Sequence, residues 1–221
     1  MPIRLSHNAT LVHFISSDGL RLEGRLNRGA PERAAVLCHP HPLYGGSMLT
    51  PVIMTAEQAF QEAGYTTLAF NFRGVGGSDG THGEGRAEVA DVAGALSFLA
   101  ETLGSRPKLQ AVAGYSFGSY VGAAAAAADA RVGFYLGIAP PLNRYDFGFL
   151  RQAICPMALI GARRDEFCEP GRFEALSLSL PATPWVRVLA TDHFFGAALD
   201  DLAQACRDAI AWVVRPGGTS R

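Results

Sequence analysis

Short apolar runs alternate with segments of helical periodicity along nearly the whole chain, and that alternation leaves few architectures open. Residues 11–15 and 20–26 read as an antiparallel strand pair turning at Asp18-Gly19. Residues 34–38, 65–72, 109–113, 132–138, 157–160 and 186–189 read as further strands. The first of these, Ala34-Ala35-Val36-Leu37-Cys38, is apolar throughout, as a strand buried on both faces must be. Between them lie helical segments over 51–63, 84–103 and the Ala-rich stretch after Ser116, and 197–214 closes the chain. Pro51 suits a first helical turn, and Gly64 and Gly104 suit left-handed helix ends. Repeated strand–helix alternation predicts an α/β fold, a mostly parallel sheet with helices on both faces. The 139–155 connection has room for a helical turn or two but not for a cap domain, so an open site is expected.

Composition narrows the function classes. The 221 residues suffice for one domain spanning 1–221, and 48% apolar against 18% charged residues is a globular balance. A net charge of −1 gives no electrostatic reason to expect nucleic acid or an anionic membrane surface as partner. No apolar run is long enough to span a bilayer. Met1 to Asn8 contain no apolar stretch of the secretory type, so a cytoplasmic location is expected. Cys38, Cys155, Cys168 and Cys206 show no metal-type spacing and are expected to be reduced thiols. Oligomeric state is not legible.

The chemistry concentrates at Gly114-Tyr115-Ser116-Phe117-Gly118. This G-x-S-x-G lies between a strand and a helix, where a sharp turn projects the serine hydroxyl out of the sheet. Glycine at both outer positions avoids collision with neighbouring backbone. The helix that follows directs free N–H groups and its positive dipole end toward any oxyanion formed there.

A serine hydroxyl needs a base. The expected chain order is nucleophile, acid, base, and of six histidines only His193 follows Ser116. The acid should follow the 157–160 strand, where Asp165 lies. Glu166 and Glu169 are near rivals, Asp146 is a distant one, and Asp192 adjoins His193 too closely. Arg163 and Arg164 offer Asp165 a structural alternative as an ion-pair partner.

An oxyanion hole needs two backbone donors. Phe117 N–H is one. The second should come from His39-Pro40-His41-Pro42-Leu43-Tyr44-Gly45-Gly46, where Pro40 and Pro42 have no N–H to give. His41 is favoured, with Leu43 and Tyr44 as alternatives. A metal role for His39 and His41 is disfavoured, because alternate residues of an extended segment point apart. No metal or other cofactor is expected.

The stretch Asn71-Phe72-Arg73-Gly74-Val75-Gly76-Gly77-Ser78-Asp79-Gly80 misses the dinucleotide register, since Asp79 stands where the third glycine belongs. It reads as a tight loop tied down by Arg73 and Asp79. Leu43, Tyr44 and Phe194, with Met48, Phe117, Phe147, Phe149 and Phe195, are candidates for an apolar substrate pocket.

Together these motifs resemble the α/β-hydrolase superfamily over most of the chain. His39-Pro40-His41-Pro42, Asn71-Phe72-Arg73-Gly74-Val75-Gly76, Gly114-Tyr115-Ser116-Phe117-Gly118 and Asp192-His193-Phe194-Phe195 look like those of small, lid-less bacterial serine hydrolases related to dienelactone-hydrolase-like proteins. The resemblance implies Ser116 as nucleophile, Asp165 as acid, His193 as base and an oxyanion loop over 39–44. Dienelactone hydrolases proper use a cysteine where this chain has Ser116, which argues against that activity. The expectation is hydrolysis of a small-molecule carboxylic ester or thioester. Acyl transfer or peptide cleavage on the same triad is the alternative within catalysis. A non-catalytic ligand-binding module is the alternative outside it.

Overall fold

The computed structural model describes residues 9–104 and 107–214. The N-terminal octapeptide on which the signal-peptide expectation rests lies outside them. Eight strands form one sheet in the order β1-β2-β4-β3-β5-β6-β7-β8. They are β1 (Thr10–Ile15), β2 (Arg21–Asn27), β3 (Ala30–Cys38), β4 (Tyr65–Phe70), β5 (Leu109–Tyr115), β6 (Val132–Ile138), β7 (Met157–Arg164) and β8 (Trp185–Asp192). β1 pairs antiparallel with β2, and β2 with β4; the other neighbours are parallel. The central strands are buried on both faces over most of their length, β3 from Ala34 onward, as expected of largely apolar strands covered by helices on both sides.

Five helices complete the layers: α1 (Pro51–Glu62), α2 (Glu88–Thr102), α3 (Phe117–Ala128), α4 (Pro170–Ser179) and α5 (Leu199–Val214). α1 and α5 pack on one face over a core including Leu37, Ala113, Leu136 and Ile160. α2, α3 and α4 pack on the other over Val36, Phe70, Val112 and Leu159. The 139–156 connection carries a single 3-10 turn at Gly148–Gln152 and no cap. Among the described residues no helix is long and apolar enough to cross a membrane. All four cysteines are free and buried.

Two sequence readings need correction. α2 starts at Glu88 rather than Glu84, because Glu84 (φ 57°) and Gly85 (φ 83°) turn the chain in the left-handed region first. The Glu88 carboxylate accepts the Gly83 and Gly85 N–H groups across that turn. α4 was not anticipated. It buries only Phe173 and Leu176, too little for a periodic signal. The loop over 71–80 is tied down at both residues read as its anchors, the first being Arg73. Its Nε and Nη2 donate to Asp91 on α2, and Nη2 also reaches Asp18. Asp79 holds the loop through its backbone, its N–H donating to Arg21 O and its carbonyl accepting from Gly74 N–H.

Candidate active site

Ser116 stands between β5 and α3 with φ 53° and ψ −119°, a left-handed conformation that costs a non-glycine residue on the order of 1–3 kcal/mol. The surroundings impose it. A Cβ on Gly114 would lie 2.1 Å from Gly118 O, and one on Gly118 would lie 2.1 Å from Cys38 O. The start of α3 is thereby pressed against the end of β3, which brings the loop after β3 beside Ser116. Ser116 N–H donates to Ile138 O (2.9 Å), fixing the turn to β6.

His193 Nε2 lies 2.9 Å from Ser116 Oγ, and His193 Nδ1 lies 2.9 Å from both Asp165 oxygens. The partners assign the protons: Nδ1–H donates to the carboxylate, and Nε2 accepts from the serine hydroxyl. The Asp165 and His193 side chains are almost fully buried. Asp165 Oδ1 also accepts Phe167 N–H (2.8 Å), which sets the carboxylate at the end of β7. Asp165 pairs with His193 and not with Arg163 or Arg164. Asp192 is spent on its own turn, accepting Phe194 N–H. The imidazole is held by Tyr115, whose hydroxyl donates to His193 O, and by the Phe167 ring 4.6 Å away. Phe195, at φ 56° and fully buried, turns the chain after the histidine and packs on Tyr115.

The turn conformation separates the candidate donors in the loop after β3. Leu43 N–H donates to His41 Nδ1, and Tyr44 N–H donates to His41 O. Phe117 N–H, first in its helix, has no intrahelical acceptor. Among the described residues neither His41 N–H nor Phe117 N–H has a protein acceptor. The two residues touch, their ring centroids 4.9 Å apart.

His39 braces this loop from beneath. It is fully buried; its Nδ1–H donates to Pro40 O (2.6 Å) and its Nε2 accepts Phe72 N–H (3.0 Å). Both ring nitrogens are occupied, so the His39–His41 pair is not arranged as metal ligands. Among the described residues no three His, Cys, Asp or Glu side chains converge as a metal site. Burial pushes the His39 pKa down to about 4 from an ordinary 6.5. The unfolded chain therefore binds a proton between these values that the folded chain refuses. Stability from this group is intact above about pH 6.5 and falls as pH drops toward 4, by about 3 kcal/mol in all. Urea unfolding at both ends of that window should show a smaller pH-dependent loss in His39→Gln than in the wild type.

Sequence reasoning missed His82 and Glu88. The His82 ring packs 4.7 Å from His41 and 5.3 Å from Phe117, and its Nδ1 lies 2.8 Å from Glu88 Oε1. His82 thus props both residues whose N–H groups are free. Burial, and secondarily the charge of His82, lower the His41 pKa. Only the glycine-rich stretch just before His82 marked this region in the sequence. The proposed pocket aromatics divide. Phe117, Phe147 and Phe195 are core, and Met48 is nearly so. Leu43 (71% exposed), Tyr44 (87%) and Phe194 (61%) stand in solvent at the rim.

The fold matches those of known proteins. The alpha/beta hydrolase fold profile matches residues 45–133. A solved structure from Agrobacterium tumefaciens, of a protein of unknown function placed among the alpha/beta hydrolases, superposes with TM-score 0.85 and 32% identity. That match covers 91% of this chain and 95% of the other. A lid-less α/β serine hydrolase from Xanthomonas campestris superposes with TM-score 0.83 and 28% identity, covering 96% and 98%. An uncharacterised Rickettsia prowazekii protein is 30% identical over 212 residues, 90% of this chain and 87% of its own length. The chain belongs to the α/β-hydrolase superfamily. Within it, the chain falls beside the small serine hydrolases that have no lid.

Proposed function

We propose that this protein is a serine hydrolase that cleaves a small carboxylic ester or thioester through an acyl-enzyme on Ser116. The observation that carries the reading is the buried line from Ser116 Oγ through His193 to Asp165, with each step 2.9 Å. In this mechanism His193 Nε2 takes the hydroxyl proton as Oγ bonds to the carbonyl carbon. Asp165 keeps the productive tautomer and stabilises the imidazolium. Phe117 N–H and His41 N–H bind the oxyanion, helped by the α3 dipole. Collapse breaks the C–O or C–S bond, and His193 returns its proton to the leaving group. Water then repeats the sequence on the acyl-enzyme and releases the acid.

Turnover of 4-nitrophenyl butyrate and of a butyryl thioester, with product analysis, tests this reading. Butyric acid as sole acyl product is expected. A new ester formed with an added alcohol would instead assign acyl transfer. Intact substrate with a folded protein would leave a binding module.

The oxyanion assignment has its own test. His41 has φ −55°, which proline accepts, so His41→Pro removes the N–H with little backbone change. His41→Ala removes the same ring but keeps the donor. His41→Pro should fall below His41→Ala by about 10²-fold in kcat, the effect of losing one such donor. Equal rates would exclude His41 N–H from the hole.

A further inference from the structure

A groove of about 500 Å³ lies between the 142–151 segment and α4. Its apolar base includes Leu142 and Leu176, and three guanidinium groups, Arg144, Arg151 and Arg172, line it against one carboxylate, Asp146. Asp146 is partly engaged, accepting Gly148 N–H. Arg172 is fixed by donating to Leu142 O, and Glu169 lies 3.9 Å from its Nε. Among the described residues Arg144 and Arg151 form no ion pair. Uncompensated cations around an apolar-floored recess suit a ligand with an anionic group on an apolar stem.

Ser116, Asp165 and His193 do not line the groove, but two sets of contacts link its walls to them. Asn143 N–H donates to Phe167 O, and Asn143 Oδ1 accepts Glu169 N–H, so this wall is tied to the loop that carries Asp165. The Phe167 ring in turn packs on His193. On the other wall, the Tyr145 ring lies 6.0 Å from that of Phe117. Phe167 and Tyr145 thus stand between the reactive centre and the groove.

We propose that this groove binds the anionic end of the substrate, so that the enzyme prefers esters or thioesters carrying a carboxylate or phosphate away from the scissile bond. The inference rests on the hydrolase reading. A carboxylate on the acyl part and phosphates on the leaving group share this chemistry, and the substrates chosen below separate them.

The experiment compares kcat/KM for 4-nitrophenyl butyrate with the mono-4-nitrophenyl esters of glutarate, adipate and suberate. A second pair compares butyryl-coenzyme A with the neutral N-acetylcysteamine thioester. One anionic set should be favoured by about tenfold at low salt, through KM rather than kcat. Arg144→Gln with Arg151→Gln should reduce that ratio by about fivefold or more, and about 0.5 M NaCl should do likewise. Arg207→Gln, which removes a cation from α5, should leave the ratio unchanged. Equal kcat/KM for anionic and neutral partners, or a preference that survives in the double variant, would overturn the proposal. If the wild type turns over no ester at all, the hydrolase reading fails separately. Calorimetric binding of adipate and coenzyme A to Ser116→Ala, with and without the two arginines, then decides the groove by itself. Arginine-dependent binding supports it, and its absence overturns it.

Discussion

His193→Ala is expected to lower kcat for 4-nitrophenyl butyrate by about 10⁴–10⁶-fold with little change in KM. The imidazole is the only group within hydrogen-bond distance of Ser116 Oγ among the described residues, so no second base stands ready to replace it. The side chain is 4% exposed, which also limits rescue by bulk water in the same position. Because the serine and histidine act as one unit, adding Ser116→Ala to His193→Ala should cost almost nothing more. Asp165→Asn should retain more activity than either, since it disturbs the tautomer and leaves the nucleophile–base contact in place. Steady-state kinetics on the three single variants and the double variant check this order. Multiplicative losses would mean that the three side chains do not work together.

The largest effect on stability is expected far from the serine. Asp91 is fully buried and binds Arg73 through the side chain and the Arg73 backbone N–H. Burial pushes the Asp91 carboxyl up, and the Arg73 guanidinium opposes that shift. Asp91→Ala strands a guanidinium that is 7% exposed, with only the half-exposed Asp18 to balance it. A loss of about 3–5 kcal/mol in urea unfolding is expected. Asp91→Leu combined with Arg73→Met should recover much of it, because two apolar side chains leave no buried charge unpaired. If Asp91→Ala costs less than the double variant, the pair is not the anchor described here. Phe72, whose N–H donates to His39, precedes Arg73 directly, so the same pair also steadies the loop after β3.

What the sequence disclosed and withheld follows from the range of the interactions involved. Strands β3, β5 and β6 were legible because burial on both faces forces an apolar run, and that requirement is local. Ser116, Asp165 and His193 could be named because each sits in the loop after a strand, and the chain order was enough to group them. The structure brings those three side chains within 2.9 Å contacts. Arg73 was legible as an anchor of its loop, but its partner Asp91 was not, because it lies 18 residues away on a helix whose register against the loop depends on the whole layer. The choice among His41, Leu43 and Tyr44 depended on a single 3-10 turn that consumes two of the three N–H groups. The aromatic side chains could not be sorted by type alone. Phe194 and Phe195 are adjacent, yet one is 61% exposed and the other fully buried, because Phe195 turns through positive φ.

The central claim is that Ser116 is an activated nucleophile, and fluorophosphonate labelling of the wild type beside Ser116→Ala tests it most directly. One label per chain on the wild type, located at Ser116 and absent from the alanine variant, is the expected result. A folded wild-type protein that takes up no label, or an alanine variant labelled as fully, would contradict the account.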